Sequence, residues 1–214
     1  FPIALQNAGF DLFLTANNHC LDRYTRGAIR TLHILDSIGA DHIGTYDSKD
    51  SFERFYPFIT SIKGIRIAFL NYTYGTNGFT PRSPLIVNYI DEEKIKKDIF
   101  RAKTLSADLI VACLHWGDEY QLLPNKRQED LADFLAKEGV QLIIGAHPHV
   151  IQPMELRYDE QGNPCALIVY SLGNFISNMK TRDTVGGAMV KVVIRRDITG
   201  KILLQSAQHT LVYT

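Results

Sequence analysis

Asp108-Leu109-Ile110-Val111-Ala112-Cys113-Leu114-His115-Trp116-Gly117 is the stretch from which the fold is read. A short, unbroken apolar run of this kind marks a strand buried on both faces, the situation of a parallel sheet flanked by other layers. The run stops on an imidazole, an indole and a glycine, so polar groups are delivered to the strand's carboxyl end. The same grammar occurs twice more. Asp11-Leu12-Phe13-Leu14-Thr15-Ala16 ends on Asn17-Asn18-His19, and Gln141-Leu142-Ile143-Ile144-Gly145 ends on Ala146-His147-Pro148-His149.

Helical periodicity fills the spaces between these runs. Ile29, Leu32, Ile34, Leu35 and Ile38 recur at three- and four-residue spacing from Arg26 to Ile38, with Gly39 as the stop. Asp41-His42-Ile43-Gly44 then reads as a second short strand, completing a β-α-β unit whose strands are parallel because the crossover is a helix. Ile65 to Tyr72 is β-rich. Asn71 to Pro84 is dense in Gly, Asn, Thr and Pro and predicts an exposed loop. A surface helix follows from Asp91, the N-cap, to Leu105, and another runs from Lys126 to Lys137, closed by Glu138-Gly139. After His149 the character changes. Ala166 to Tyr170, Ala188 to Arg195 and Ile202 to Tyr213 are strand-like with no long helix between them, which predicts an antiparallel or mixed second sheet. The class is α/β.

Bulk properties bound the function. With 214 residues, 45% hydrophobic, one domain spanning residues 1–214 can close a sizeable core. The 23 basic and 23 acidic residues cancel, so the overall charge calls for neither nucleic acid nor an anionic membrane surface. Cys20, Cys113 and Cys165 are widely spaced and form no CxxC pair, which reads as buried free thiols. The apolar runs are too short for a transmembrane helix, which needs about 20 residues. The chain starts Phe1-Pro2-Ile3-Ala4-Leu5 without a signal peptide or natural start, and reads as a fragment with an N-terminal segment removed.

In open α/β sheets the carboxyl ends of the strands share one edge, where ligands bind, so the three polar clusters are expected to meet. Three imidazoles, His115, His147 and His149, with the amide of Asn18, suit Zn, Mn or Fe and carry too little negative charge for Ca. His147 and His149, one residue apart in an extended segment stiffened by Pro148, are expected to send both rings to one side. His33, His42 and His209 lack such placement and read as structural. Arg23, Arg26 and Lys126 near the strand ends could attract an anion, although such charges ordinarily sit solvated.

Four ordered motifs carry a family resemblance. Ala16-Asn17-Asn18-His19, Leu114-His115-Trp116-Gly117-Asp118-Glu119-Tyr120, Gly145-Ala146-His147-Pro148-His149-Val150-Ile151-Gln152-Pro153 and Tyr170-Ser171-Leu172-Gly173-Asn174-Phe175 resemble the signatures of the bacterial capsule synthesis (CapA, poly-γ-glutamate) family. That family is similar to the calcineurin-like metallophosphoesterases. The resemblance implies a four-layer α/β/β/α sandwich with a dinuclear metal centre. It makes Asn18, His115, His147 and His149 metal ligands and His19 the proton-donating residue, and places Asn17, Glu119 and Asn174 along the substrate cleft. Two departures stand out. Leu21-Asp22-Arg23-Tyr24 replaces the usual Asp-Tyr-Gly, and Ala146 stands where a further His is common. The superfamily's early Asp-bearing strand and its bridging aspartate would precede Phe1, so the fragment is expected to be N-terminally truncated and to bind two ions only in the full-length protein, one weakly or none here.

Function follows as an expectation from the resemblance: a metal-dependent hydrolase of a phosphoester in anionic cell-envelope polymer metabolism, working with the capsule synthesis machinery. The alternative is a non-catalytic component that binds or exports poly-γ-glutamate or capsule polymer. An amide-forming synthetase is disfavoured because no Gly-rich phosphate loop is present. The resemblance further implies an extracytoplasmic protein, membrane-associated through the missing N-terminal segment.

Overall fold

A computed structural model describes residues 1–214. The elements are, in chain order, α1 (Pro2–Asn7), β1 (Leu12–Leu14), α2 (Tyr24–Ser37), β2 (Asp41–Ile43), β3 (Thr45–Tyr46), α3 (Lys49–Phe55), β4 (Phe58–Ile62), β5 (Ile65–Thr73), β6 (Ile86–Val87), α4 (Glu92–Thr104), β7 (Leu109–His115), α5 (Lys126–Lys137), β8 (Leu142–Ala146), β9 (Met154–Tyr158), β10 (Pro164–Val169), β11 (Gly186–Arg196) and β12 (Ile202–Tyr213). Six strands form the central sheet in the order β4-β5-β7-β8-β10-β9. The inner four are mutually parallel, and β4 and β9 close the edges antiparallel.

Strand alternation sorts the side chains of β7 to two cores. Ile110, Ala112 and Leu114 meet Ile95, Ile99 and Ala102 of α4 and Leu131, Ala132 and Leu135 of α5. Leu109, Val111 and Cys113 face the other way, with Leu142, Leu167 and Val169, onto Val190, Val192, Ile194, Ile202 and Leu204 of the β11–β12 hairpin. Both faces of the sheet are thus covered, which is why its strands read as continuous apolar runs. The caps follow the residues: Asp91 accepts from the Lys94 N–H, and Asn125 and Gln128 form a reciprocal capping box on α5.

The second β layer is the antiparallel β11–β12 ribbon, paired from Gly186–Tyr213 to Arg196–Ile202. Its outward side chains, including Met189 and Val193, are exposed, so residues 1–214 build the helix, sheet and sheet layers and leave the ribbon's outer face bare. The ribbon's tip turns at Asp197 to Gly200. It is pinned by Arg196, whose guanidinium pairs with Asp108 at 2.6 Å and donates to the Gly64 carbonyl, both at the amino-terminal ends of central strands.

Two expectations need correcting. The run from Ala166 to Tyr170, expected in the second sheet, supplies β10 of the central sheet, parallel to β8. β1 and β2 are parallel and joined by α2, as read, yet they form a separate two-stranded sheet instead of joining the central one. Side-chain hydrogen bonding substitutes for the ladder: Asn71 of β5 accepts the Ala16 N–H at 2.9 Å through Oδ1 and donates through Nδ2 to the Cys113 carbonyl at 3.1 Å. Gly44, with φ +110°, permits the approach, since a Cβ there would lie 2.1 Å from Asn71 Oδ1. No helix is long and apolar enough to cross a membrane.

Candidate functional site

The carboxyl ends of β1, β7 and β8 do converge. Asn18, 3% exposed, stands four residues beyond β1, and its Oδ1 lies 2.8 Å from Nε2 of His115, the last residue of β7. The His147 ring follows directly after β8, with its centroid 4.8 Å from that of His115 and 6.3 Å from that of His149. His149 Nδ1 meets Asn174 Oδ1 at 2.9 Å, which brings in the loop after β10. A cavity of about 340 Å³ is lined by Asn17, Asn18, His19, His115 and His149, among others.

The path to this arrangement differs from the one expected for His147 and His149. Both have positive φ, +109° and +61°, so the segment is not extended. Turning the backbone at each histidine, with Pro148 between them, brings the rings inward where plain strand alternation would leave them on a ladder. Positive φ at non-glycine residues is uncommon and clusters where side chains are held for a task.

Burial sets the charge state of this donor set. Desolvation, reinforced by His147, His149 and His19, pushes the His115 imidazole down to about 3, and desolvation likewise lowers His147 against the pull of the Glu119 carboxylate. Both rings are therefore neutral and have lone pairs to give. His147 Nδ1 is buried with no hydrogen-bond partner, a group that an electrophile would satisfy. By donor chemistry the cluster fits a divalent metal of intermediate softness. No three His, Cys, Asp or Glu side chains close onto a single ion position; Asn18 and Asn174 each engage one of the imidazoles.

A stability prediction follows from His115. Its folded value lies below the value of about 6.5 for an unfolded imidazole, so its contribution is complete above that value and is lost as the pH falls toward about 3, where the unfolded chain alone takes up the proton. Urea midpoints of the metal-free protein measured from pH 7 to pH 4 should fall less steeply for His115→Gln than for the parent. Parallel slopes would refute this assignment.

His19 sits at the rim. Its Nδ1 lies 2.8 Å from Asp22 Oδ2, and its backbone N–H donates to Asn17 Oδ1 at 2.9 Å. Asn17 thus shapes the turn that presents His19 to the cavity. Glu119 is exposed, and the field of its carboxylate reaches both His147 and Tyr74. Of the basic rim, Arg23 and Arg26 line a neighbouring groove of about 660 Å³, whereas Lys126 pairs with Asp130 at 2.8 Å on the surface. His33 and His42 face Asp47 and Asp36, and His209 belongs to β12, away from the cluster.

Three residues of the site were not singled out from the sequence. Tyr74, immediately after β5, lies parallel to the His115 ring (8°, centroids 6.4 Å apart) and 4.7 Å from His147. Tyr120 lies over His149 at 6.1 Å. Asn77 reaches Asn18 and His19 from the loop after β5. For Tyr74 and Asn77 the available signal was the length and composition of the 71–84 loop, whose pattern does not specify which residues turn inward; Tyr120 ends the motif that begins at Leu114.

Comparison with known proteins places these features in context. A sequence model of the family described as "Bacterial capsule synthesis protein PGA_cap" matches residues 2–179. The chain is 31% identical over 198 residues to the capsule biosynthesis protein CapA of Bacillus anthracis, covering 90% of this chain and 46% of that one. It is 30% identical over 214 residues to the PGA biosynthesis protein CapA of Bacillus subtilis strain 168, covering 92% and 50%. The chain thus spans about half the length of the curated relatives it matches. Among solved structures, the NAD nucleotidase NadN of Haemophilus influenzae superposes with a TM-score of 0.61 at 13% identity, over 98% of this chain and 41% of that one. At that identity the likeness shows the fold alone, which is of the nucleotidase and metallophosphoesterase type.

Proposed function

Since this chain belongs to the bacterial capsule synthesis protein family, we propose that its strand-end cluster is a divalent-metal site that hydrolyses a phosphoester during synthesis of an anionic capsule polymer. The observation that carries this reading is the meeting of Asn18, His115 and His147, delivered by three different strand ends, as neutral donors around a buried and unpartnered ring nitrogen.

Asn18, His115, His147 and His149 would hold the metal, with Mn, Fe or Zn suited to imidazole and amide donors. When bound, the metal supplies electrophilic activation of the phosphoryl group and of water. The chain's own residues do the rest. Asp22 takes the Nδ1–H of His19 and fixes the ring, so that Nε2 is left for the substrate. From the rim, His19 acts as general acid in its imidazolium form, keeping Nδ1–H on Asp22 and giving the Nε2 proton to the departing oxygen. Asn17 holds the turn under His19. Tyr74 and Tyr120 wall the histidines on two sides and keep water from their faces. Residues 1–214 act as one domain in this reading, with Glu119 and Asn174 lining the approach of the polymer. The protein works outside the cytoplasm, attached to the membrane beside the rest of the capsule machinery.

The test uses purified protein with Mn, Fe or Zn and an aryl phosphate mono- or diester. Metal uptake measured by calorimetry and metal-dependent turnover, both reduced at least about tenfold by His147→Ala, are expected. Absence of metal uptake by the parent protein would overturn the proposal. Retention of an anionic polymer after complete chelation, with no turnover under any metal, would instead establish a carrier.

A further inference from the structure

Asn77 lies in the irregular segment between β5 and β6, is exposed, and has φ +50°. An exposed loop asparagine ordinarily bonds to water or to its own backbone. Here the amide is directed at two residues 58 and 59 positions away: Oδ1 accepts from Asn18 Nδ2 at 3.2 Å, and Nδ2 lies 3.4 Å from His19 Nδ1. We propose that Asn77 is a positioning residue, which holds the Asn18 amide with its oxygen toward His115 and seats His19 beside it. The inference rests on the reading just given, in that Asn18 and His19 belong to the working site.

An amide has one ligating end. Its oxygen accepts a hydrogen bond or faces a cation, whereas its NH₂ group can only donate. Asn18 is buried, so each end needs a partner, and the pair is settled jointly: Oδ1 faces His115 Nε2 because Nδ2 finds an acceptor in Asn77 Oδ1. Asn77 Oδ1 is the acceptor at hydrogen-bonding distance from Nδ2, with the Tyr74 hydroxyl a second, looser neighbour; without Asn77 a half-turn of the amide would set a donor against the cavity. For His19 the tie is weaker. Asp22 already takes Nδ1 at 2.8 Å, and one nitrogen carries one proton, so the Asn77 amide packs alongside this pair.

Positioning demands that the loop itself be held, and it is. Thr76 is buried, donates from Oγ1 to the Phe79 carbonyl at 2.6 Å, and meets the Tyr89 hydroxyl at 2.9 Å. Phe79 packs edge-on against Tyr24 at 5.4 Å, and the Arg82 N–H donates to Thr25 Oγ1 at 2.9 Å. These contacts fasten the loop to the start of α2, the helix that follows His19. Tyr74, at the other end, donates its N–H to the His115 carbonyl at 2.9 Å.

Asn77→Gly is the discriminating variant, because glycine accepts φ +50° without strain while removing the amide. Asn77→Asp retains an acceptor oxygen for Asn18 Nδ2 and serves as the rescue. Two readouts are needed: the Asn18 side-chain NH₂ resonances in the metal-free protein, and the affinity for Mn or Zn by calorimetry. In Asn77→Gly the Asn18 resonances should shift and lose their protection from solvent exchange, and metal affinity should fall about 10- to 100-fold, the usual effect of removing a group that orients a ligand. Backbone amide signals distant from the loop should remain unchanged, and Asn77→Asp should restore both readouts toward the parent. Unchanged Asn18 resonances in a folded Asn77→Gly protein would overturn the proposal. If the parent binds no metal, the metal-site reading fails, while the Asn18 resonances still decide the role of Asn77.

Discussion

Replacing Asn71 with alanine should cost about 2–6 kcal/mol of stability, since it strips partners from two buried backbone groups at about 1–3 kcal/mol each. Those groups are the Ala16 N–H and the Cys113 carbonyl, in residues 2% and 6% exposed. A loss of that size is a large share of the 5–15 kcal/mol typical of a domain. The damage should also be local. Ala16 lies two residues before Asn18, so loosening this bracket lets the β1–β2 pair drift from the central sheet and pulls Asn18 off His115. Urea denaturation measures the first effect, and metal affinity measures the second. Asn71→Asp, which keeps the acceptor for Ala16 and loses the donor to Cys113, should fall between alanine and the parent at neutral pH. An Asn71→Ala protein as stable as the parent would show that water replaces the amide and that the two sheets are held together by apolar packing alone.

The second large effect is chemical. His19→Ala should reduce metal-dependent phosphoester turnover by about 10²–10⁴-fold, the range associated with a positioned general acid. Metal affinity should hardly change, because His19 touches Asp22 and Asn77 and not the His115 and His147 rings. That separation is what identifies a proton donor as opposed to a ligand. Substrates with good leaving groups, such as nitrophenyl esters, need less help from an acid and should show the smaller losses; alkyl esters should show the larger. Equal losses for both kinds of ester, or a parallel fall in metal affinity, would remove His19 from that role.

Much of the architecture was legible because the informative signals are local. The apolar runs ending at His115 and before His147 read as doubly covered strands, and α5 runs from Lys126 to Lys137 as the spacing of Leu131, Phe134 and Leu135 directs. Short elements escaped notice. β4 turns into β5 through Lys63-Gly64, both with positive φ, a two-residue hairpin that a lysine in the first position disguises. The 3-residue β1 was read correctly as a strand but assigned to the wrong sheet, since an asparagine side chain makes the join that a backbone ladder was expected to make. For the site, the convergence of Asn18, His115, His147 and His149 was legible from strand polarity. The conformation of the His147 and His149 backbone was not, because the positive φ values answer to packing around the cavity. Tyr74 and Asn77 were hidden for a related reason: a loop rich in Gly, Asn and Thr announces flexibility in its composition, and only tertiary anchors such as Thr76 and Phe79 reveal that it is fixed.

The ribbon tip at Asp197 to Gly200 is fastened by Arg196 to Asp108 and Gly64, at the end of the sheet remote from the histidines. That geography makes Thr199 a natural handle: a fluorophore or a surface tether coupled there would leave the mouth of the cavity unobstructed. Immobilised through this turn, the protein would present the edge that carries His115 and His147 outward, open to molecules of any length.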